Sequence, residues 1–597
     1  MAETADKIVR IGGASGFWGD SSVGAPQLVG KGEIDYLVFD YLAETTMAIL
    51  AAMRGKQPDL GYATDFVDIA MRATLRDLVA KGVKVVSNAG GINPKGCAAA
   101  LAALAAELDV KLVIAVVEGD DVSPLLPELR AADQRDMFSG NPLPEKILSA
   151  NAYLGAFPIA KALAEGADVV ITGRCVDSAA TLGPLIHEFG WKADDYDLLA
   201  AGSLAGHIVE CGCQATGGLF TDWEEVEDWA DIGYPVLECH ADGRFAVCKS
   251  PDTGGLITPA VVAEQLLYEI GDPAAYMLPD VVCDFRGVKL ERSAGAQVLV
   301  SGARGLPPTD SYKVSATYAD GYRAAGTMVI VGIDAVAKAR RTGEAILQRT
   351  RAIFRALNIA DYAATNIEAI GGETLYGPHS RAANAREVML RVTVVHRDRK
   401  ALEIFSREIA PSGTSWSPGT TGPAAGRPSA SPLIKQVAFT LPKRQVTINV
   451  TVAGETSTIA VPLDGGYPGA ATREPDAAQT WVAVSENIVL LPLIKLAHAR
   501  SGDKGDISNI GVIARKPEFL PVLLDQLTPE RVKSYFAHLV KGKVERYLVP
   551  GIHAMNFMLY EALDGGGPAS LRMDPLGKGM AQMLLDMEIA APAALLK

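Results

Sequence analysis

The sequence predicts an α/β protein: a large domain with a mostly parallel sheet and helices on both faces, then a small α+β domain. Three observations predict it. Up to about residue 235, short apolar runs alternate with stretches of helical period, the rhythm of parallel strands joined by right-handed crossovers. The early strands end in loops rich in Gly or Asn, where ligands sit beyond the carboxyl ends of such sheets. A last run of strands and helices follows a Gly/Pro-bearing segment and reads as its own compact unit.

The elements follow in order. Residues 7–11 read as a strand ending in glycines, and residues 35–41 (DYLVFDY) as a second, buried strand. Residues 66–81 carry apolar side chains at helical spacing until Gly82 stops the helix. Residues 83–86 form a third strand; the loop SNAGGINPKG leads to an Ala-rich helix and the strand KLVIAVV. The helix at 159–165, the strand ADVVITG and the loop RCVDSA repeat the unit, so KGVKVVSNAGG and EGADVVITGRC look alike. Near residue 235 the texture changes: RFAVCKS, QVLVSGARG and YKVSATYADGY alternate like antiparallel strands, and a helix starts at Ala335. Residues 410–432 have no period and are rich in Ser, Thr, Gly and Pro, which predicts a loop. Strands QVTINVTV and TSTIAVPL come next, then a linker at 465–485. The final unit runs strand LPLIKLAHA, loop RSGDKGDIS, strand NIGVIAR, helix TPERVKSYFAHLV and strand VERYLV.

Composition limits the function classes. The chain has 597 residues, 49% hydrophobic and 21% charged, a globular balance with material for large cores. A net charge of -14 repels nucleic-acid phosphates and anionic lipid, so neither nucleic acid nor membrane is an expected partner. Small anions remain open, because one arginine or one helix N-terminus can hold a carboxylate or phosphate. Seven scattered cysteines form no C-x-x-C pairs, so no disulfide framework, structural zinc or redox cofactor is expected. The first residues show no apolar leader, and Glu107, Asp109 and Lys111 break the longest apolar stretch; a cytoplasmic location is expected.

Six clusters can carry chemistry. Gly12 and Gly13, with Gly16 and Gly19, let backbone approach a ligand or simply make a tight turn; they do not form G-x-G-x-x-G, which argues against a nicotinamide fingerprint. Asn88, Gly90 and Gly91 precede a helix opening at Pro94, a place for a carboxylate or phosphate, though Asn93 also fits as a cap. Arg174 can grip an anion while Asp177 either works beside it or pairs with it structurally. His207 and Glu210 fall three apart on one helix face with Cys211 beside them; they form an acid–base pair, the carboxylate fixing the imidazole tautomer, or a satisfied core cluster. Cys211 and Cys213 lack a zinc spacing, and no metal is expected. His498 and Arg500 share one strand face, and Asp503, Lys504 and Asp506 crowd charge between Gly502 and Gly505. That loop is either an ion-paired turn or an anion site reaching the large domain's cleft. Glu373, Tyr376, His379 and Arg381 form a lesser cluster placed as a cap on the pocket.

The motif SGDKGD followed by SNIG, with GHIVECGCQATGG and LLYEIGDPAAYMLPDVVCDF, resembles the acyclic terpene utilisation AtuA family. The resemblance implies a large AtuA domain over 7–455 and a ferredoxin-like AtuA domain over 490–590. It implies a role in breakdown of acyclic terpenes or related branched acids carried as CoA thioesters. The reading that follows is an enzyme on a branched acyl-CoA, either a C–C lyase on a 3-hydroxy-3-alkylglutaryl-CoA or a hydratase. The alternative is a non-catalytic binding or assembly subunit of an acyl-CoA carboxylase system. On the enzyme reading His207, Glu210, Asp177 and His498 are catalytic. Gly12, Gly13, Asn88, Gly90, Gly91, Arg174, Arg500, Asp503, Lys504 and Asp506 bind substrate. CoA enters only as part of the substrate, no separate cofactor is expected, and the chain is expected to form a homo-oligomer.

Overall fold

A computed structural model describes residues 7–293, 295–423, 425–469 and 487–596; most of the linker expected at 465–485 lies outside the described residues. Five parallel strands form the centre of the large domain: β1 (Ile8–Gly13), β2 (Tyr36–Phe39), β3 (Lys84–Ser87), β4 (Ile114–Glu118) and β5 (Val169–Thr172), in spatial order β1-β2-β3-β5-β4. Both faces are covered. Tyr36 and Val38 enter one core, Leu37 and Phe39 the other, so β2 reads as one apolar run. The two similar βα segments are neighbours, β3 beside β5.

The sheet as a whole is mixed, which corrects the expectation of a mostly parallel one. β6 (Pro235–His240), β7 (Phe245–Lys249), β8 (Lys289–Ser293) and β9 (Gln297–Ser301) extend it antiparallel beyond β1. β10 (Asn449–Val452) and β11 (Glu455–Thr458) extend it beyond β4, making eleven strands. The reason is connection length. Ala453 and Gly454, both with positive φ, join β10 to β11 in a two-residue turn, and so short a link can only return the chain antiparallel.

A second sheet is built on the 21-residue strand Ser311–Val331, which pairs antiparallel with Ser149–Ala152, Glu387–His396 and Ser431–Pro442. Helices Ala335–Ala356 and Arg399–Ile409 pack on it. The loop expected at 410–432 is partly regular: Ser412–Ser415 is helical and Thr420–Pro423 adds a strand to this sheet.

The C-terminal domain is an antiparallel sheet of β12 (Ala497–Lys504), β13 (Ile507–Ala514), β14 (Val544–Val549) and β15 (Ala554–Leu559), in order β12-β13-β15-β14. It has its own core, in which Ile510, Val512, Leu523, Phe536 and Phe557 meet. The loop expected at 500–508 is mostly strand. β12 continues through Lys504, and only Gly505, at φ 63°, and Asp506 turn the chain.

The two domains meet along residues 267–269, which lie against β12 and β13. A methyl on Gly511 would stand 2.5 Å from Leu267 Cβ, and one on Gly502 2.5 Å from Glu269 Cγ. Asn509 fixes the register: its Nδ2 donates to the Leu267 carbonyl at 2.7 Å and its Oδ1 accepts from the Glu269 N–H at 3.0 Å. Among the described residues no helix is long and apolar enough to cross a membrane.

Candidate functional site

A cavity of about 750 Å³ opens beyond the carboxyl ends of β1, β2 and β5, and the end of β12 forms its opposite wall. Asp40, the residue after β2, lines it. Asn88, the first residue after β3, sits buried behind Asp40, donating from Nδ2 to Oδ1 at 2.6 Å and accepting the Tyr41 N–H at 2.8 Å. Arg174, after β5, also lines it. Its Nη1 donates to Asp177 Oδ1 at 2.6 Å, and its guanidinium lies 4.1 Å from the centroid of the Tyr153 ring. The buried Asp120 carboxylate anchors the Arg174 N–H at 2.8 Å.

Glu210 reaches the cavity from the end of helix Tyr196–Val209. Its Oε1 is 3.1 Å from His207 Nδ1, and His207 Nε2 is 3.1 Å from the carbonyls of Gln265 and Leu266. Carbonyls only accept, so Nε2 carries a proton and Nδ1 is left facing Glu210. Glu210 meets the cavity, and His207 is buried behind it.

Burial sets the charges. It pushes Asp40 well above the usual carboxyl range; the neighbouring Asp177 adds to this, and Arg174 and Asn88 only partly oppose it. Burial also raises Glu210 against the pull of His207. For His207 burial works downward, but Glu210 outweighs it and holds the imidazole above its ordinary value. Both shifts favour a proton held between His207 and Glu210.

The C-terminal domain contributes Asp503 and Lys504. Lys504 Nζ is 3.4 Å from Glu269; Lys578 Nζ is 3.0 Å from Glu269 and 3.2 Å from Asp503, and it also donates to the Tyr268 hydroxyl. Burial opposes the Glu269 charge, yet Lys504 and Lys578 bring its pKa down to about 2; burial lifts Asp503 to about 6 against the same Lys578.

Other sequence candidates stand elsewhere. A methyl on Gly13 would lie 2.7 Å from the Val209 carbonyl, so this glycine admits the helix end that carries Glu210; Gly12 packs against Leu28. Gly90 touches the Thr172 carbonyl, and Gly91, at φ 53°, touches Leu50. None of the four, nor Asn88, lines the cavity, because the strand ends close on each other more tightly than a one-dimensional pattern conveys. Asp506 accepts the N–H groups of Leu563 and Gly565, both at 2.9 Å, and holds the turn. His498 stacks on Phe220 and meets Asp222 Oδ2 at 3.0 Å, away from the cavity; burial, helped by Arg515, brings its pKa down to about 4. Arg500 donates to the Leu219 carbonyl and to Gln214 Oε1, each at 2.6 Å. The cluster placed as a cap joins the C-terminal domain instead: His379 stacks on Tyr535 at 4.1 Å, and Arg381 pairs with Asp586.

Asp40, Glu269 and Lys578 were not singled out. Asp40 had a signal, a carboxylate at the carboxyl end of a buried parallel strand. Lys578, in PLGKGM, had none. Burial pushes Cys211 well above the ordinary thiol value, which disfavours a thiolate there. Among the described residues no three His, Cys, Asp or Glu side chains are grouped to hold a metal ion.

The chain belongs to the acyclic terpene utilisation AtuA family. The family profile, described as acyclic terpene utilisation family protein AtuA, matches residues 9–452, and that of the AtuA ferredoxin-like domain matches residues 491–590. Membership ties the protein to acyclic terpene utilisation. No curated protein and no solved structure matches the chain.

Proposed function

We propose that the protein is an enzyme acting on a branched acyl-CoA thioester by proton transfer, as a C–C lyase on a 3-hydroxy-3-alkylglutaryl-CoA or as a hydratase. The observation that carries this reading is the meeting, on one cavity wall, of two carboxyls whose proton affinity burial raises, Asp40 and Glu210, with the Asp177 carboxylate that Arg174 holds at 2.6 Å. Both reactions need one group to take a hydroxyl proton and another to protonate the carbon next to the thioester. In the lyase direction Asp177 takes the proton of the tertiary hydroxyl. The C–O bond becomes a carbonyl, the C–C bond breaks, and its electrons form the thioester enolate. Arg174 and Lys504 stabilise that negative charge, and Glu210 delivers its proton to the enolate carbon. Asp177 then releases its proton to water in the cavity and Glu210 takes one up from it, while His207 Nδ1, at 3.1 Å, holds the Glu210 carboxyl in place. In the hydratase direction the same base takes a proton from water and the same acid protonates the α-carbon.

The test is mass spectrometry of candidate acyl-CoAs incubated with the protein. Conversion should fall about 10²- to 10⁴-fold in Glu210→Gln, the usual contribution of a general acid, while binding persists. Acyl-CoA binding without conversion by the native protein would instead favour the assembly-subunit reading.

A further inference from the structure

A second cavity, of about 560 Å³, adjoins the first. It lies in the seam between residues 217–232 of the large domain and β12 with residues 581–582 of the C-terminal domain. Its walls are more apolar than those of the charged cavity: Phe220, Trp223 and Ala499 line it alone, and Leu219, Trp229 and Ile232 line both. Each chamber falls within the roughly 300–1,000 Å³ of small-molecule sites.

The chambers share a boundary, since Leu219, Tyr268 and Lys578 line both. Leu219 holds that boundary in an unusual way. Its φ is 63°, left-handed backbone that a leucine adopts only under constraint, and its side chain is left 69% exposed. The constraint is visible: Arg500 Nη1 grips its carbonyl, and Thr221 Oγ1, two residues on, both donates to the Ala499 carbonyl and accepts its N–H, each at 3.1 Å. Trp223 and Trp229 meet edge to face at 6.0 Å and are 56% and 59% exposed. Two tryptophans and a strained leucine turned to water around one concavity form an apolar patch of the kind that marks a binding site.

We propose that this annex receives the aliphatic acyl chain of a ligand whose thioester carbonyl lies in the charged cavity, with Leu219 at the threshold and Trp223 and Trp229 as the walls. The proposal rests on the acyl-thioester reading above and deepens it. The annex selects by chain length and Arg500 is a positioning residue, fixing the threshold from the neighbouring domain. Continuity of the two chambers argues for one ligand spanning both.

The experiment titrates the full chain with acetyl-, butyryl-, hexanoyl- and decanoyl-CoA and follows tryptophan emission. Affinity should rise about three- to fourfold per added methylene, the transfer value for aliphatic groups. A blue shift should appear with the longer chains and shrink in Trp223→Phe. Gln582 is exposed on the annex wall, so Gln582→Trp should fill the space and flatten the chain-length slope. Affinity that stays flat from acetyl to decanoyl in the native protein overturns the annex and leaves the thioester reading standing. If no acyl-CoA binds, the thioester reading fails, and decanol and decanoate decide the annex. A blue shift that Gln582→Trp abolishes upholds it as an aliphatic-chain site; no shift overturns it.

Discussion

His207 and Glu210 show how much a single side chain's meaning depends on its depth. Their spacing was legible: three residues apart near the end of a helix, they had to meet. Which of them faces the cavity was not, because that follows from residues 265–266 covering the imidazole, more than fifty positions away in sequence. Asp40 was open to the same rule that singled out Asn88 and Arg174, yet lay hidden in a run that read as strand. His498 gives the clearest test at this scale. Burial and Arg515 bring its folded pKa down to about 4, below the ordinary value of about 6.5. Between those values the unfolded chain binds a proton that the folded chain does not. Stability is therefore intact above about pH 6.5 and falls as the pH drops towards 4, by up to about 3 kcal/mol. His498→Phe keeps the stack on Phe220 and removes the titration, so its thermal midpoint should fall less across that window than the native one. Equal slopes would show that His498 is not the group responsible.

Among the elements, the βα units were readable because both faces of the central strands are buried and the loops carry their own punctuation. The flanking strands were less so: β6 to β11 owe their place in the large sheet to pairing with β1 and β4, which no local pattern announces. The SGDKGD…SNIG motif reads differently once β12 and β13 are seen as one docking face. Gly505 serves the turn, while Gly502 and Gly511 make room for residues 267–269. Gly511→Ala places a methyl 2.5 Å from Leu267 Cβ, so it should cost about 1–3 kcal/mol through overpacking and loosen the seam. Gly505→Ala meets nothing within 4 Å and should cost only the left-handed backbone, about 1–2 kcal/mol, with the seam intact. Hydrogen exchange separates them: amides at 267–269 and at Asn509 should exchange faster in Gly511→Ala alone. Equal protection in both variants would count against the docking role.

At the scale of the whole molecule, the charged cavity exists because two domains meet. The large domain brings Asp40, Arg174, Asp177 and Glu210, and the C-terminal domain brings Asp503, Lys504 and Lys578, far away in the chain. Charge density alone pointed to the 500–506 segment. It did not separate Asp503 and Lys504, which face the cavity, from Asp506 and His498, which hold the fold, because strand phase and interdomain contact make that division. The seam is fastened partly by Asp222, which takes Arg515 through both oxygens, at 2.6 and 2.5 Å, and does not line the charged cavity. Two substitutions then have opposite signatures. Lys504 is partly exposed, and its pair with Glu269 contributes about 0–1 kcal/mol to stability. Lys504→Ala should leave the thermal midpoint nearly unchanged while weakening acyl-CoA binding about tenfold, or roughly 1.4 kcal/mol. Asp222→Ala leaves a partly buried guanidinium without its carboxylate and should cost about 1–2 kcal/mol of stability. It should also weaken binding, although it lies outside the cavity, because a loosened seam displaces Lys504 and Asp503 from the opposite wall. Calorimetric midpoints and acyl-CoA titrations on both variants check this. If Asp222→Ala lowers the midpoint and leaves affinity untouched, the C-terminal domain is dispensable to the site, and the ligand is held by the large domain alone.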